Sequence, residues 1–60
     1  MPDITQWCDP EGRINFSANT PKGDTWMRAH YGHHTVELSR DEAFLLKETA
    51  KADGISVEPF

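Results

Sequence analysis

The chain has 60 residues, a formal net charge of −4 and one cysteine, Cys8. A chain of this length forms at most one domain, and it buries only about 60% of the surface that its unfolded form exposes. The single cysteine excludes an intramolecular disulfide and favours a reducing compartment, so we expect a cytoplasmic protein. The negative charge argues against direct nucleic-acid binding.

No run of apolar residues approaches the length of a membrane span, and the N-terminus lacks a basic segment followed by an apolar one. We therefore expect one small α/β domain over residues 1–60, without a membrane segment or a signal peptide.

The first predicted elements form a β-hairpin. Residues Asp3–Cys8 are rich in β-favouring side chains. The sequence Asp-Pro-Glu-Gly at 9–12 then has the residues that a type I turn prefers at its first, second and fourth positions. In Arg13–Ala18, apolar and polar residues alternate, which predicts a half-buried second strand. The apolar side of this strand comprises Ile14, Phe16 and Ala18.

The segment Asn19–Gly32 has two interpretations. Thr20 before Pro21 is typical of a helix N-cap followed by proline at N1, and Gly32 is suited to end the helix. In that helix, Trp26, Met27 and His30 share one face. Alternatively, the Pro-Lys-Gly-Asp sequence at 21–24 turns directly into a strand and gives a β-meander. Helix propensity in the second half of the segment favours the helix.

The segment Ser39–Gly54 predicts the longest helix. Ser39 and Glu42 have the spacing of a capping box, and Gly54 has the position of a left-handed C-terminal residue, with Ile55 placed for the accompanying hydrophobic contact. The predicted buried stripe consists of Ala43, Leu46 and Ala50, flanked by Leu45 and Thr49.

Two further strands adjoin this helix. Thr35–Leu38 precedes it and Ile55–Glu58 follows it, and apolar and polar residues alternate in both. A strand, a helix and a strand in direct succession predict a right-handed parallel crossover. Because each strand has only one apolar face, we expect helices on one side of the sheet. The predicted fold class is α+β, a two-layer β-β-α-β-α-β sandwich with an N-terminal hairpin and both helices on one face of a small mixed sheet.

Three histidines, His30, His33 and His34, surround Gly32 and are the candidate metal ligands, with Asp24 or Cys8 as partners. Their spacing matches neither a Cys-x-x-Cys pair nor a His-Glu-x-x-His helix. We interpret them as part of a polar loop and predict no bound metal. Histidine titrates in the physiological pH range, so a pH-responsive module is an alternative hypothesis.

Catalysis has one candidate constellation, Cys8 with a histidine and Asp9. A single cysteine in a strand beside a turn is typical of a small packed residue, so we expect Cys8 to be buried rather than nucleophilic. The Thr-Pro-Lys-Gly sequence at 20–23 lacks the glycine spacing of a phosphate-binding loop. We predict a protein with no catalytic residues and no cofactor, since so short a chain has little room for a substrate pocket.

Two surfaces are candidates for binding. The first is the polar face of the sheet, whose predicted residues are Arg13, Asn15, Ser17, Thr35, Glu37, Ser56 and Glu58. The second is centred on Phe44, which the helical register turns away from the buried stripe, beside Lys47, Glu48 and Lys51. Either the first helix or Pro59-Phe60 covers Phe44, or this side chain anchors another chain.

The pattern Thr20-Pro21-x-Gly23-x-x-Trp26, with the ending Ala52-Asp53-Gly54-Ile55-Ser56-Val57, resembles that of short proteins encoded by phage and plasmid genomes. The resemblance covers a handful of positions and implies no functional residues.

Our leading hypothesis is a small cytoplasmic protein-interaction module that associates with itself and binds another protein of unknown identity. A metal- or pH-responsive module is one alternative. The other is an acidic nucleic-acid mimic, whose predicted residues are Asp3, Asp9, Glu11, Glu37, Asp41, Glu42 and Glu58.

Overall fold

The computed structural model describes all 60 residues and contains four strands and two helices. These are β1 (Ile4–Cys8), β2 (Ile14–Ala18), α1 (Pro21–Tyr31), β3 (Thr35–Leu38), α2 (Arg40–Ala52) and β4 (Val57–Pro59). The predicted α+β fold class and the β-β-α-β-α-β order are confirmed.

The four strands form one mixed sheet in the order β3-β2-β1-β4. β1 and β2 are antiparallel, as are β2 and β3, whereas β4 runs parallel to β1. It follows that β3 and β4 are parallel to each other, but they occupy opposite edges of the sheet. The α2 connection therefore crosses both central strands.

The turn between β1 and β2 forms as predicted. The Gly12 amide donates to the Asp9 carbonyl at 3.0 Å, and Gly12 has φ 83°, a conformation that glycine adopts without a steric penalty. The Asp9 carboxylate accepts the amides of Arg13 at 2.9 Å and Glu11 at 3.0 Å. The Arg13 hydrogen bond in particular holds the pKa of Asp9 below its ordinary value.

The segment after β2 is helical, so the helix interpretation is confirmed and the strand alternative is wrong. The Thr20 hydroxyl accepts the Gly23 amide at 3.0 Å, which satisfies one of the free donors in the first turn. Gly32 ends α1 with φ 80°, and its amide donates to the Arg28 carbonyl at 2.9 Å.

Both predicted ends of α2 are present. Ser39 and Glu42 exchange hydrogen bonds in a capping box. At the C-terminus, the Ile55 amide donates to the Ala50 carbonyl at 2.8 Å and the Gly54 amide to the Lys51 carbonyl at 3.2 Å, the pattern of a Schellman motif.

This motif corrects the predicted boundary of the last strand. We predicted a strand over Ile55–Glu58, but β4 spans Val57–Pro59. The reason is that the Ile55 amide closes the helix, while the Ser56 amide donates to the carboxylate of Asp3 at 3.2 Å.

The core lies between the helices and one face of the sheet. Its buried apolar residues are Ile4, Phe16, Trp26, Met27, Leu38, Ala43, Leu46, Ala50 and Ile55. The alternation in the last two predicted strands puts Val36, Leu38, Ile55 and Val57 on the apolar side, but Val36 and Val57 are only half-buried against this cluster. Both lie in edge strands, where one side has no neighbouring strand.

Asp3 joins three separate parts of the chain at the start of β1. Its carboxylate accepts the Thr20 hydroxyl at 2.6 Å and the Ser56 amide, and its own amide donates to the Ser56 hydroxyl at 2.8 Å. The Thr20 hydrogen bond, followed by the Ser56 amide, lowers the pKa of Asp3 from its ordinary value of 3.8. Gly23 lies so close that an added Cβ would be 2.2 Å from the Asp3 carbonyl oxygen.

We expect Leu46→Ala to lower the free energy of unfolding by roughly 2–5 kcal/mol, because it leaves a cavity under α2. Chemical denaturation measures the loss. Leu45→Ala is the matched control, since Leu45 is 64% exposed. A near-wild-type stability for Leu46→Ala would remove Leu46 from the core.

We expect Asp3→Asn to lower the melting temperature at neutral pH, because the amide is a weaker acceptor than the carboxylate. The wild-type carboxylate has a lower pKa in the folded chain than in the unfolded chain. Its contribution is therefore fully present above the ordinary value of 3.8 and is lost as the pH falls through the folded pKa.

Thermal melts from about pH 7 down to about pH 2 test this expectation, and Asp3→Asn should show a shallower loss of stability with acid than wild type. Glu58→Gln removes one charge from an exposed side chain and serves as the control. Equal acid sensitivity in wild type and Asp3→Asn would contradict the proposed role of this carboxylate.

Candidate interaction surface

One side of α2 carries the second of the two predicted binding surfaces. Phe44, Lys47, Glu48 and Lys51 follow the spacing i, i+3, i+4 and i+7, so they form one stripe along the helix, which we call the Phe44 stripe. The stripe lines a groove of about 620 Å³ that is open to solvent. Its other wall is the segment Gly54–Val57, which connects α2 to β4.

Phe44 has no cover within the chain and is 64% exposed. Of the two segments that could have covered it, α1 contributes no residue to the groove beside Phe44, and Phe60 is itself 99% exposed. Phe60 lines a different groove, on the polar face of the sheet. The aromatic ring is therefore available to another chain.

The charged residues of the stripe have no ion-pair partner within the protein. The ion pairs of the fold join Arg13 to Glu37 at 3.2 Å and Arg28 to Asp24 at 2.9 Å, and His30 approaches Asp53. Lys47, Glu48 and Lys51 take part in none of them. Their charges are free for a partner.

The expectation that Leu45 flanks the buried stripe is wrong, because Leu45 is 64% exposed. It follows Phe44 by about 100° of helix rotation, on the side of α2 away from the sheet. The contact with the sheet is filled by Ala43, Leu46 and Ala50. Leu45 does not line the groove and so is separate from the Phe44 stripe.

The histidines do not converge. His30 stacks on Trp26 with ring centroids 4.3 Å apart, and its Nε2 lies 3.7 Å from Oδ2 of Asp53. The same oxygen accepts the indole N–H of Trp26 at 2.7 Å, which links α1 to the end of α2. His33 and His34 are exposed in the loop before β3. No group of three or more His, Cys, Asp or Glu side chains is arranged to hold a metal ion.

Tyr31 lies beside this cluster and is half-buried against the core. Burial raises the pKa of its phenol, and the carboxylate of Glu42 adds to the rise.

Cys8 is exposed, so the expectation that it packs as a small apolar residue is wrong. It pairs with Ile14 at the turn end of the hairpin, whereas the buried positions lie at Ile4 and Phe16. The Ala18 amide donates to the backbone carbonyl of His34 at the opposite end of β2, about 13 Å from the turn. The candidate catalytic constellation of Cys8, Asp9 and a histidine therefore does not form.

The predicted polar face of the sheet forms over β2 and β3. Ser17 and Thr35 share a hydrogen bond of 3.2 Å, and Arg13 pairs with Glu37. Ser56 is not on this face, because it lies before β4 and bonds Asp3.

This face also has an apolar part that we did not predict. Trp7, directly opposite Asn15, is 37% exposed, and with Phe60 it borders a shallow groove of about 550 Å³. The signal was present in β1: if Ile4 faces the core, alternation turns Thr5 and Trp7 to the other side.

The carboxylates proposed for nucleic-acid mimicry are largely engaged within the chain. Asp3 and Asp9 accept backbone amides, Glu37 pairs with Arg13, and Glu42 completes the capping box. This hypothesis gains no support from their geometry, since a mimic needs free carboxylates on one face.

Comparison with models of protein families, with curated proteins and with solved structures found no match for the chain. Neither of its helices has the length and apolar character needed to cross a lipid bilayer.

We expect zinc, nickel and a chelator to leave the melting temperature unchanged, because only a ligand that prefers the folded state raises it. Differential scanning calorimetry with each additive makes the measurement. A zinc-dependent rise that saturates, and that disappears in a His33→Ala/His34→Ala variant, would establish the metal-site hypothesis instead.

Proposed function

We propose that this chain is a small, non-catalytic protein-interaction module that binds through the Phe44 stripe and associates with itself. The observation that carries the proposal is the 64% exposure of Phe44 in a groove bordered by charged side chains. A large aromatic residue within a polar rim is the usual arrangement of the energetically dominant part of a protein interface.

The size of the domain supports self-association. Only nine apolar residues are buried in its core, and a domain of about 60 residues is marginal in stability. Burying Phe44 and the apolar wall of the groove against a second copy adds apolar contact without lengthening the chain. A two-fold dimer that uses the same patch twice is the commonest such assembly.

The non-catalytic part of the proposal rests on the separation of the reactive side chains. Cys8 and His34 lie near opposite ends of β2, and the carboxylate of Asp9 holds the hairpin turn. General acid–base and nucleophilic catalysis both need such groups within hydrogen-bonding reach of one another.

We further propose the cytoplasm as the compartment. A single exposed thiol, Cys8, suits a reducing environment, where it stays unpaired. The resemblance to short phage and plasmid proteins is compatible with an accessory role in such a genome.

We expect Phe44→Ser to weaken dimerisation by about 2 kcal/mol or more, because it removes the only large aromatic anchor of the stripe. Sedimentation equilibrium over a concentration series measures the association, and a thermal melt of the dilute protein verifies the fold.

Leu45→Ser is the matched control, since Leu45 is equally exposed but lies outside the groove. It should leave the association unchanged. A wild-type chain that remains monomeric at high micromolar concentration would overturn the proposed self-association.

A further inference from the structure

We infer that β3, an edge strand of the sheet, pairs with β3 of a second copy in antiparallel orientation, with Val36 of both copies at the two-fold axis. This contact is separate from the Phe44 stripe, because no residue of β3 lines the groove beside Phe44. The inference therefore goes beyond the proposed function and does not depend on it.

Alternating hydrogen bonds direct every second residue of β3 toward β2. The Ala18 amide of β2 donates to the carbonyl of His34 at 2.9 Å. In an antiparallel pair, residues that bond the neighbouring strand alternate with residues that do not. The even-numbered residues of β3 therefore bond β2, and the N–H and C=O groups of Thr35 and Glu37 point away from the sheet. Both residues are exposed, and no turn or loop hydrogen bond uses these groups.

The opposite edge of the sheet is protected against such pairing. The Ile4 amide donates to the Ser56 carbonyl, and the Phe60 amide donates to β1, so the even-numbered residues of this segment bond β1. Pro59 then has an outward position in β4, where it has no N–H to donate. Proline is one of the features that protect an edge strand from further pairing. β3 contains no proline and is therefore the open edge of the sheet.

One register of two antiparallel β3 strands uses every outward group. A two-fold axis at Val36 pairs Thr35 of each copy with Glu37 of the other, and each pair exchanges two hydrogen bonds. All the backbone donors and acceptors that Thr35 and Glu37 point outward are then satisfied. Val36 faces its own copy in a pair without hydrogen bonds, where the Cα atoms approach to about 4.5 Å.

The side chains favour the same register. Val36 packs against the core on the helix side and is only half-buried, so a second Val36 opposite it covers more of its apolar surface. On the other face, the Thr35 hydroxyl lies opposite the Glu37 carboxylate, to which a hydroxyl donates. An axis at Glu37 would place two carboxylates in direct opposition, which is destabilising. An axis at Thr35 would pair Glu37 with His33, which lies in the loop before the strand.

This pairing extends the sheet across both copies and keeps the helices of both on the same face. The Phe44 stripe of each copy remains free. A chain with two separate self-complementary surfaces joins more than two copies when both are used.

Disulfide cross-linking at the axis tests the inference. In a Cys8→Ser background, Val36→Cys places two thiols opposite each other, at a Cα separation that a disulfide spans. Leu45→Cys in the same background is the matched control, since Leu45 is exposed outside both surfaces. With a mild oxidant, we expect the Val36→Cys chain to form a covalent dimer about tenfold faster or more than the control, because pairing raises the effective concentration of the thiols.

Proline at an outward position tests the hydrogen bonds. Thr35→Pro, added to the Val36→Cys chain, removes one outward N–H and no bond to β2, as Pro59 does at the other edge. We expect the rate of cross-linking to fall to that of Leu45→Cys. Thr35→Val loses the same hydroxyl but keeps the N–H, and it should retain the faster rate. Circular dichroism melts establish that each variant is folded.

The outcomes separate this inference from the proposed function. Cross-linking of Val36→Cys that is no faster than that of Leu45→Cys would overturn the inference, and this comparison does not depend on the folding of Thr35→Pro. Equal slowing by Thr35→Val and Thr35→Pro would overturn it as well.

Adding Phe44→Ser to the Val36→Cys chain should leave the cross-linking in place. If Phe44→Ser abolishes it, the thiols meet only in an assembly made by the Phe44 stripe, which overturns the edge pairing and leaves the proposed function standing. Cross-linking that persists while Phe44→Ser has no effect on sedimentation would support the edge pairing and overturn the proposed role of the stripe.

Discussion

The hydrogen bonds of Asp3 are the constraint on which the arrangement of the elements depends. Through Thr20 and Ser56, this carboxylate connects β1 to residues 17 and 53 positions away. The Thr20 hydroxyl also caps α1, so the start of the helix and the start of the strand are held by one group. Gly23 makes the approach possible, because any side chain there would collide with the Asp3 carbonyl. The Asp3 carboxylate also binds the Ser56 amide, and so it holds the segment that leads into β4 beside β1.

The two sides of α2 have different roles because of the size of their side chains. Ala43 and Ala50 are small enough for the helix to lie close to the sheet, and Leu46 fills the space between them. The two remaining large apolar residues of the helix, Phe44 and Leu45, are exposed to solvent, since no third layer of the fold packs on the outer side of α2. A domain of this size therefore keeps exposed apolar surface that a second chain could bury. In the groove beside Phe44, this apolar surface lies next to charged side chains.

Several of the carboxylates that give the chain its net charge of −4 have partners within the fold. Asp9 holds a turn, Asp53 joins the two helices through Trp26, and Glu37 pairs with Arg13 across the sheet. The charged residues of the Phe44 stripe differ from these carboxylates, because Lys47, Glu48 and Lys51 form no ion pair within the chain.

The amino-acid sequence by itself determined the elements whose signals are local. The turn at 9–12, the Thr20 cap and the Ser39 capping box each depend on residues within four positions of one another, so their hydrogen bonds can be predicted from spacing. The Phe44 stripe was also predictable, since helical periodicity alone turns it from the buried side.

Only the tertiary structure decided the exposure of Cys8 and the place where β4 begins. Burial depends on which distant element packs over a side chain, and that depends on the order of strands in the sheet. Ile55 has an apolar side chain suited to a strand, but its amide bonds Ala50 and closes a helix. The local sequence pattern around Ile55 is the same whether the residue ends a helix or begins a strand. The long-range hydrogen bond from the Ser56 amide to the Asp3 carboxylate determines where β4 begins.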